Sequence, residues 1–316
     1  MLSKLPFVEK NFFFELLLSM KIIDCITYFN EPMLFELRLN ILDKYVDEFV
    51  VCESLFTHAG KNKKLYFDIK KFKNFSKKIK HIVLEKEPNT LIKPSENKNV
   101  PNALRYNAEK RIKYQRNEIL KKIKDNDPED WIIYSDSDEI PNLENIDLKN
   151  SKEKFIVFNQ NIFYYKFNLT LKNHNWYGSK ACKLKNLSSI TDLRNVKTRK
   201  YEWWRVDTLF KKNKYINLKV VNNGGWHFTE LKSAEEIFEK HKNDEHHDEF
   251  ELTGIKLDDV KNMIQGRYIP YDHKADKKDL NSKWGKNIKV PLVKIDNKFL
   301  PKYLIENKDK YYKWFD

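Results

Sequence analysis

The sequence predicts an α/β fold, a mixed sheet flanked by helices with a helical C-terminal portion. Three observations carry this. Buried strand-like runs alternate with helix-period segments up to about residue 145. Aromatic, alternating runs follow Pro141, and helical patterning returns from Ser233. No repeat and no long linker interrupts the chain. The expected division is an extension over 1–19, a catalytic unit over 20–232, and a helical portion over 233–316 packed on the same body.

Lys21 to Tyr28 reads as a buried strand, and Asn30-Glu31-Pro32 after it is a helix-start signal. The helix that follows places Leu34, Leu37, Ile41 and Leu42 on one face. Phe49 to Glu53 is a second strand and His81 to Leu84 a third, with a Gly- and Lys-bearing loop from His58 to Lys64 between them. Strand, helix and strand joined by short links imply a parallel sheet. A loop from Pro94 to Pro101 precedes a long helix with Leu104, Ala108, Ile112, Ile119 and Ile123 inward, which delivers the chain to a fourth strand at Trp131. Beyond Pro141, Phe155 to Phe158, Ile162 to Phe167, Ala181 to Leu184 and Ile216 to Val221 read as antiparallel strands completing the sheet. Gly224 to Phe228 reads as a turn with an embedded histidine.

The 316 residues are 41% hydrophobic and 14% aromatic, which suffices for one large or two modest units and argues against general disorder. Cys25, Cys52 and Cys182 are too scattered for a disulfide framework or a zinc site. Cys25 and Cys52 read as small buried hydrophobes, and a reducing, cytoplasmic compartment follows as the expectation. The net charge of +14 suggests an acidic partner, although the lysines are spread along the chain rather than gathered into one arm. A biased genome explains the Lys, Asn and Ile richness equally well. The apolar run at Phe12 to Leu18 contains Glu15 and falls far short of the ~20 residues needed to span a bilayer. At most peripheral membrane contact is expected.

The segment Trp131-Ile132-Ile133-Tyr134-Ser135-Asp136-Ser137-Asp138-Glu139-Ile140-Pro141 concentrates chemistry. An apolar strand ends in three carboxylates within four positions, and Pro141 stops regular continuation. Unpaired buried carboxylates are costly, so a cation is expected beside them. Ligands of open α/β sheets bind beyond the carboxyl ends of the strands, where this cluster lies. A hard divalent ion, Mg²⁺ or Mn²⁺, shared with substrate phosphates fits one or two protein carboxylates. The plainer alternative is a polar turn capping a helix.

These residues resemble glycosyltransferase family 17. The resemblance runs through Asn30-Glu31-Pro32 with Glu36 and Arg38, Val51-Cys52-Glu53-Ser54 with Thr57, and Gln115-Arg116-Asn117. It continues through Ser135 to Pro141, Gly225-Trp226-His227-Phe228 and Pro301-Lys302-Tyr303-Leu304, covering about Lys21 to about residue 312. The resemblance implies a GT-A fold with a Rossmann-like nucleotide-sugar-binding sheet. It also implies an inverting transfer from a UDP-sugar, most simply UDP-N-acetylglucosamine, to a glycan hydroxyl, aided by Mn²⁺ or Mg²⁺. Animal relatives carry a membrane anchor and lumenal stem that do not match here, and the pattern does not align between about Asn186 and Tyr215.

Within that frame Asp138 is the expected metal ligand, Asp136 reaches the metal through water or holds the ribose, and His227 completes the metal or diphosphate contact. Tyr28, Glu53 and Arg116 are donor-side candidates: stacking, hydroxyl acceptance and diphosphate pairing. Their alternatives are ordinary strand ends and a surface arginine paired with Asp130 or Glu118. An inverting reaction needs a general base near the acceptor hydroxyl. Asp207, Glu230 and Glu202 are available, with a slight preference for Asp207 beside Trp203 and Trp204, whose rings suit sugar faces; Glu139 is expected to orient a neighbouring side chain or contact the sugar, with a salt bridge to a nearby lysine as its alternative. Lys240, His246 and Asp248 are spaced like the family's lysine–histidine–acid element, whereas His241 and His247 read as a solvated helix face. A nucleic-acid-binding protein accounts for the charge but leaves the carboxylates unexplained, so no nucleic acid is expected. A nucleotidyltransferase keeps the carboxylates but not the other matches.

Overall fold

The structure, a computed structural model, describes residues 20–93, 100–198, 217–243, 246–275 and 284–316. Its frame is four parallel strands: β1 (Ile22–Thr27), β2 (Glu48–Ser54), β3 (Ile79–Leu84) and β4 (Trp131–Asp136). From β1 the chain moves outward through β2 to β3. It then returns over the helix Val100–Ile123 and lays β4 on the free side of β1. The winding direction therefore reverses between β1 and β4, with Thr27 in register with Asp136. Such a reversal opens a crevice at the carboxyl ends of the two strands.

The strands are apolar on both faces, and the period of two sorts their side chains between two cores. Trp131 and Ile133 join the core that holds Leu34, Leu37 and Leu42 of the helix Pro32–Leu42. Ile132 and Tyr134 join the opposite core, under Ile119 and Ile123 of the long helix. Each fully buried aliphatic side chain contributes about 1.5–3 kcal/mol, more than any helix propensity in play. Cys25 and Cys52 are buried in the second core, as small hydrophobes.

Beyond β4 the sheet differs in detail from the expectation. Pro141 does not end the regular structure, because Glu139–Pro141 forms a short strand, β5. The runs at Phe155 and Ile162 merge into one ten-residue strand, β6 (Phe155–Tyr164), with an irregularity between Val157 and Asn159. β7 (Leu169–Thr170) pairs with β6, and β8 (Trp176–Lys183) runs antiparallel to both β4 and β6, as anticipated. By contrast β9 (Leu218–Val221) and β10 (Gly225–Thr229) lie parallel to β6, one beside each of its ends. The predicted turn at Gly224–Phe228 is thus a strand. The turn itself falls at Asn222–Gly224, where Asn223 adopts a φ of 50° and Gly224 N–H donates to Asn159 O at 2.7 Å.

The helices Ala234–His241, His247–Thr253 and Leu257–Gly266 cover the far part of β6. There Ile237, Phe250, Val260 and Met263 pack with Ile162 and Tyr164 in a third core. The remaining chain forms a small pair, β11 (Tyr268–Ile269) with β12 (Val290–Pro291), and adds β13 (Val293–Lys294) to β7. The portion expected to be helical therefore also supplies strands, and Leu304 and Tyr311 enter the first core. Among the described residues no helix is long and apolar enough to cross a membrane.

Candidate active site

The site is assembled where β4 hands over to β5. β10 pairs antiparallel with β5, matching Gly225 to Pro141 and His227 to Glu139. This approach requires glycine: Gly225 has a φ of 132°, and a Cβ there would stand 2.1 Å from Ile140 O. The pairing lets Phe228 N–H donate to Asp138 O at 2.8 Å and carries the His227 ring to the Asp138 carboxylate. Two segments some ninety positions apart thus meet as one unit, which explains the glycines ahead of the histidine.

Asp138 is nearly buried, with His227 Nε2 3.4 Å from Oδ1 and Lys240 Nζ 3.5 Å from Oδ2. Burial alone pushes its pKa up, but the His227 and Lys240 charges hold it well below the usual carboxylate range. The same pairing raises the pKa of His227 against the downward pull of burial. Its ring stacks on Trp176, with centroids 4.5 Å apart, and Nδ1 has no hydrogen-bond partner among the described residues. Lys240 sits near the end of a helix fixed by a Ser233–Glu236 capping box and lies 3.2 Å from Glu31 Oε1. Glu31 occupies the N-cap position of the helix Pro32–Leu42 but makes no capping bond; its carboxylate instead accepts the Ser137 hydroxyl and faces Lys240.

Asp136 is engaged differently. Oδ1 accepts from Tyr134 Oη at 3.1 Å and Arg116 Nη2 at 3.3 Å, and Oδ2 from Arg194 Nη2 at 2.6 Å. Burial works against its charge, yet the two guanidinium groups hold its pKa at about 2. Glu139 lies outside the cavity wall and is completely buried. Trp176 Nε1–H, the Arg194 fork and the Asp136 backbone N–H all donate to it. Gly178 leaves the room it needs, since a Cβ there would fall 2.1 Å from Gln160 Oε1 and 2.8 Å from Glu139 Oε1. Arg38 reinforces the arrangement from below: it binds Asp24 through Nε and Nη2 at 2.6 and 2.5 Å and donates to Glu139 O.

An open cavity of about 250 Å³ lies at the β1–β4 crevice. Asp136, Asp138, His227 and Lys240 line one part, and Thr27, Tyr28, Phe56, Thr57, Ile112 and Gln115 another. Arg116 lines it as well; it pairs with Tyr134 and Asp136 rather than with Asp130 or Glu118. Tyr28 is on the wall, its ring edge-packed against Phe35 and Phe67. His246 lines the cavity beside Lys240.

Other candidates lie elsewhere. Glu53 is buried behind the wall, where it accepts from Lys63 Nζ at 2.7 Å and from Tyr66 and Phe67 N–H at 2.8 and 3.0 Å, anchoring the loop after β2. Glu230, at a φ of 57° just after β10, faces His241 at 3.0 Å and does not line the cavity. Asp207 and Glu202 lie outside the described residues. His241 and His247 are not a solvated face: His241 stacks on Phe250, and His247 is buried. The His241 ring is enclosed between Phe250 and Trp284. Sequence reasoning missed Arg194 and Glu31. Arg194 comes from the short helix Ile190–Arg194, inside the stretch that resists alignment, so no local signal marks it. Glu31 carried a signal, as an acidic residue at a helix start that leaves its cap unused.

Among the described residues no three His, Cys, Asp or Glu side chains converge as a metal cluster. The donor set nevertheless suits a phosphate-shared cation. Asp138 Oδ1 and His227 Nε2 are 3.4 Å apart. That is near the roughly 3 Å between adjacent ligands of an octahedral ion that keeps its other positions for phosphate and water.

No curated protein sequence matches this chain significantly. Among solved structures it is similar to HddC from Yersinia pseudotuberculosis, with 11% identity over 64% of this chain and 90% of that one, at a TM-score of 0.29. It is also similar to a protein assigned as a glucose-1-phosphate thymidylyltransferase from Bacillus anthracis, with 12% identity over 66% and 88%, at 0.33. At such scores these likenesses bear no weight for the chemistry. The sequence model of glycosyltransferase family 17, in contrast, matches residues 14–315. The chain is therefore a sugar-transferring enzyme and belongs to glycosyltransferase family 17.

Proposed function

We propose that this glycosyltransferase moves N-acetylglucosamine, with inversion, from UDP-N-acetylglucosamine to a glycan hydroxyl, and that Mn²⁺ or Mg²⁺ assists it. The observation that carries the reading is the Asp138–His227 pair, two cavity-lining groups whose paired atoms stand 3.4 Å apart, loosely enough to accept a cation. Asp136 has no such freedom, since both its oxygens are held by arginine. It serves to fix Arg116 at the cavity wall, and to bind the metal, if at all, through water.

When bound, the cation supplies Lewis-acid stabilisation of the negative charge that develops on the departing diphosphate. Asp138 and His227 hold it. Arg116 and Lys240 present positive charge to the same phosphates, and preorganised charge at the leaving group is the largest single source of rate enhancement in such sites. Tyr28, on the cavity wall, is the candidate for contact with the nucleoside. The choice of N-acetylglucosamine rests on the family resemblance. For the base, Glu139 and Glu230 are engaged away from the cavity wall, and Asp207 remains the candidate.

A transfer assay with UDP-N-acetylglucosamine tests this. Chelation should abolish turnover and Mn²⁺ should restore it, and the product linkage read by NMR should be opposite to the α-linked donor. Activity that survives chelation, or a retained anomer, would overturn the mechanism. Asp207→Asn should lower kcat by on the order of 10²-fold or more if Asp207 is the base.

A further inference from the structure

One stretch of the chain is unusually rich in lysine. Residues 61–80 contain nine lysines against a single acid, Asp68, so these twenty positions supply +8 of the chain's net +14. Three of the nine are neutralised: Lys63 by Glu53 at 2.7 Å, Lys78 by Asp43 at 2.9 Å and Lys80 by Glu48 at 2.7 Å. The other six, Lys61, Lys64, Lys70, Lys71, Lys73 and Lys77, are exposed and have no carboxylate within 4.0 Å among the described residues.

Their direction is set by packing. The segment Ile69–Lys78 forms 3₁₀ turns on either side of a kink at Phe72. Phe72 is buried against Phe35 and Phe67, at centroid separations of 4.9 and 5.7 Å. With Phe72 as the inward anchor, Lys70, Lys71, Lys73 and Lys77 face outward. Leu65 and Ile69 are exposed among them at 37% and 39%, two of six large hydrophobic side chains so exposed in the described residues. Edge-strand protection does not account for this, because the unpaired lysines sit on the turns and loop rather than on β3.

We propose that this face docks on an anionic lipid surface. Clustered lysines interspersed with exposed aliphatic side chains match a negatively charged membrane, into which the aliphatic groups insert at headgroup depth. A nucleic acid would use the charge but give Leu65 and Ile69 no partner. Lys63, in the same segment, lines the active-site cavity, so docking sets the mouth of the crevice beside the headgroups. An acceptor carried on lipid would be presented there.

Co-sedimentation of the full chain with phosphatidylcholine vesicles, with and without phosphatidylserine, tests the proposal. Binding should require phosphatidylserine and weaken as salt rises. The combined variant Lys70→Glu, Lys71→Glu, Lys73→Glu and Lys77→Glu should weaken it by on the order of 100-fold or more. Ile69→Ser should weaken it several-fold. Unchanged circular dichroism and unchanged transfer to a soluble acceptor would show that the variants fold. No binding to phosphatidylserine vesicles, or binding indifferent to the four reversals, overturns the proposal. The transfer assay stands apart from all of these results.

Discussion

Arg194 shows how a single side chain sets the state of the carboxylates around it. It is half-buried and its fork reaches both Asp136 and Glu139, at 2.6 and 2.9 Å. Arg194→Ala would leave Glu139 charged and enclosed, and breaking a buried pair costs about 3–5 kcal/mol. Arg194→Lys should recover little, because one ammonium cannot bridge two carboxylates; urea denaturation measures both. The charge balance also fixes pH responses. Asp136, held at about 2, titrates below its ordinary value, so its contribution to stability is complete above about pH 4 and is lost as pH falls toward 2. The stability gap between the protein and Asp136→Asn should narrow over that window. Lys180 behaves in the opposite sense. Burial and the nearby Arg194 charge bring its pKa down to about 7, so the unfolded chain binds the extra proton above that pH. Relative to Lys180→Met, the protein should gain stability as pH rises from about 7 to 9. A difference that stays flat with pH would refute the assignment.

At the scale of elements, the site depends on the closeness of β5 and β10. Replacing Gly225 by alanine would set a Cβ 2.1 Å from Ile140 O in a backbone conformation that L-residues avoid. The two strands would part and His227 would leave Asp138. The expected outcome is a loss of at least about 2 kcal/mol in stability and a fall in turnover of on the order of 10²-fold or more, read by thermal unfolding and initial rates. The glycine pair was legible in the sequence as a sign of close backbone approach, but its partner was not. Pro141 read as a terminator because proline cannot continue a ladder as donor, whereas a three-residue strand needs few donors from it. Periodicity likewise could not tell that β9 and β10 run parallel to β6, since strand direction depends on where long connections travel.

At the scale of the molecule, the parallel half was legible because each strand is apolar on both faces and each helix carries one apolar stripe. Those local patterns agree with one another from Lys21 to Asp136. The reversal between β1 and β4 then follows from the chain's route, and it places the Asp136–Asp138 segment at the mouth of a crevice. The rest of the site was not legible. Arg194 and Glu31 arrive from distant elements, and only the closed fold brings them against Asp136 and Ser137 of the acidic turn. The central claim is that Asp138 and His227 hold a cation that the donor shares. Calorimetric titration with UDP-N-acetylglucosamine, with and without Mn²⁺, tests it in the native protein and in Asp138→Asn. Mn²⁺ should tighten binding by about tenfold or more, ~1.4 kcal/mol, in the native protein and have no effect in the variant. Equal donor affinity with and without the metal, or a metal response that survives Asp138→Asn, would contradict it.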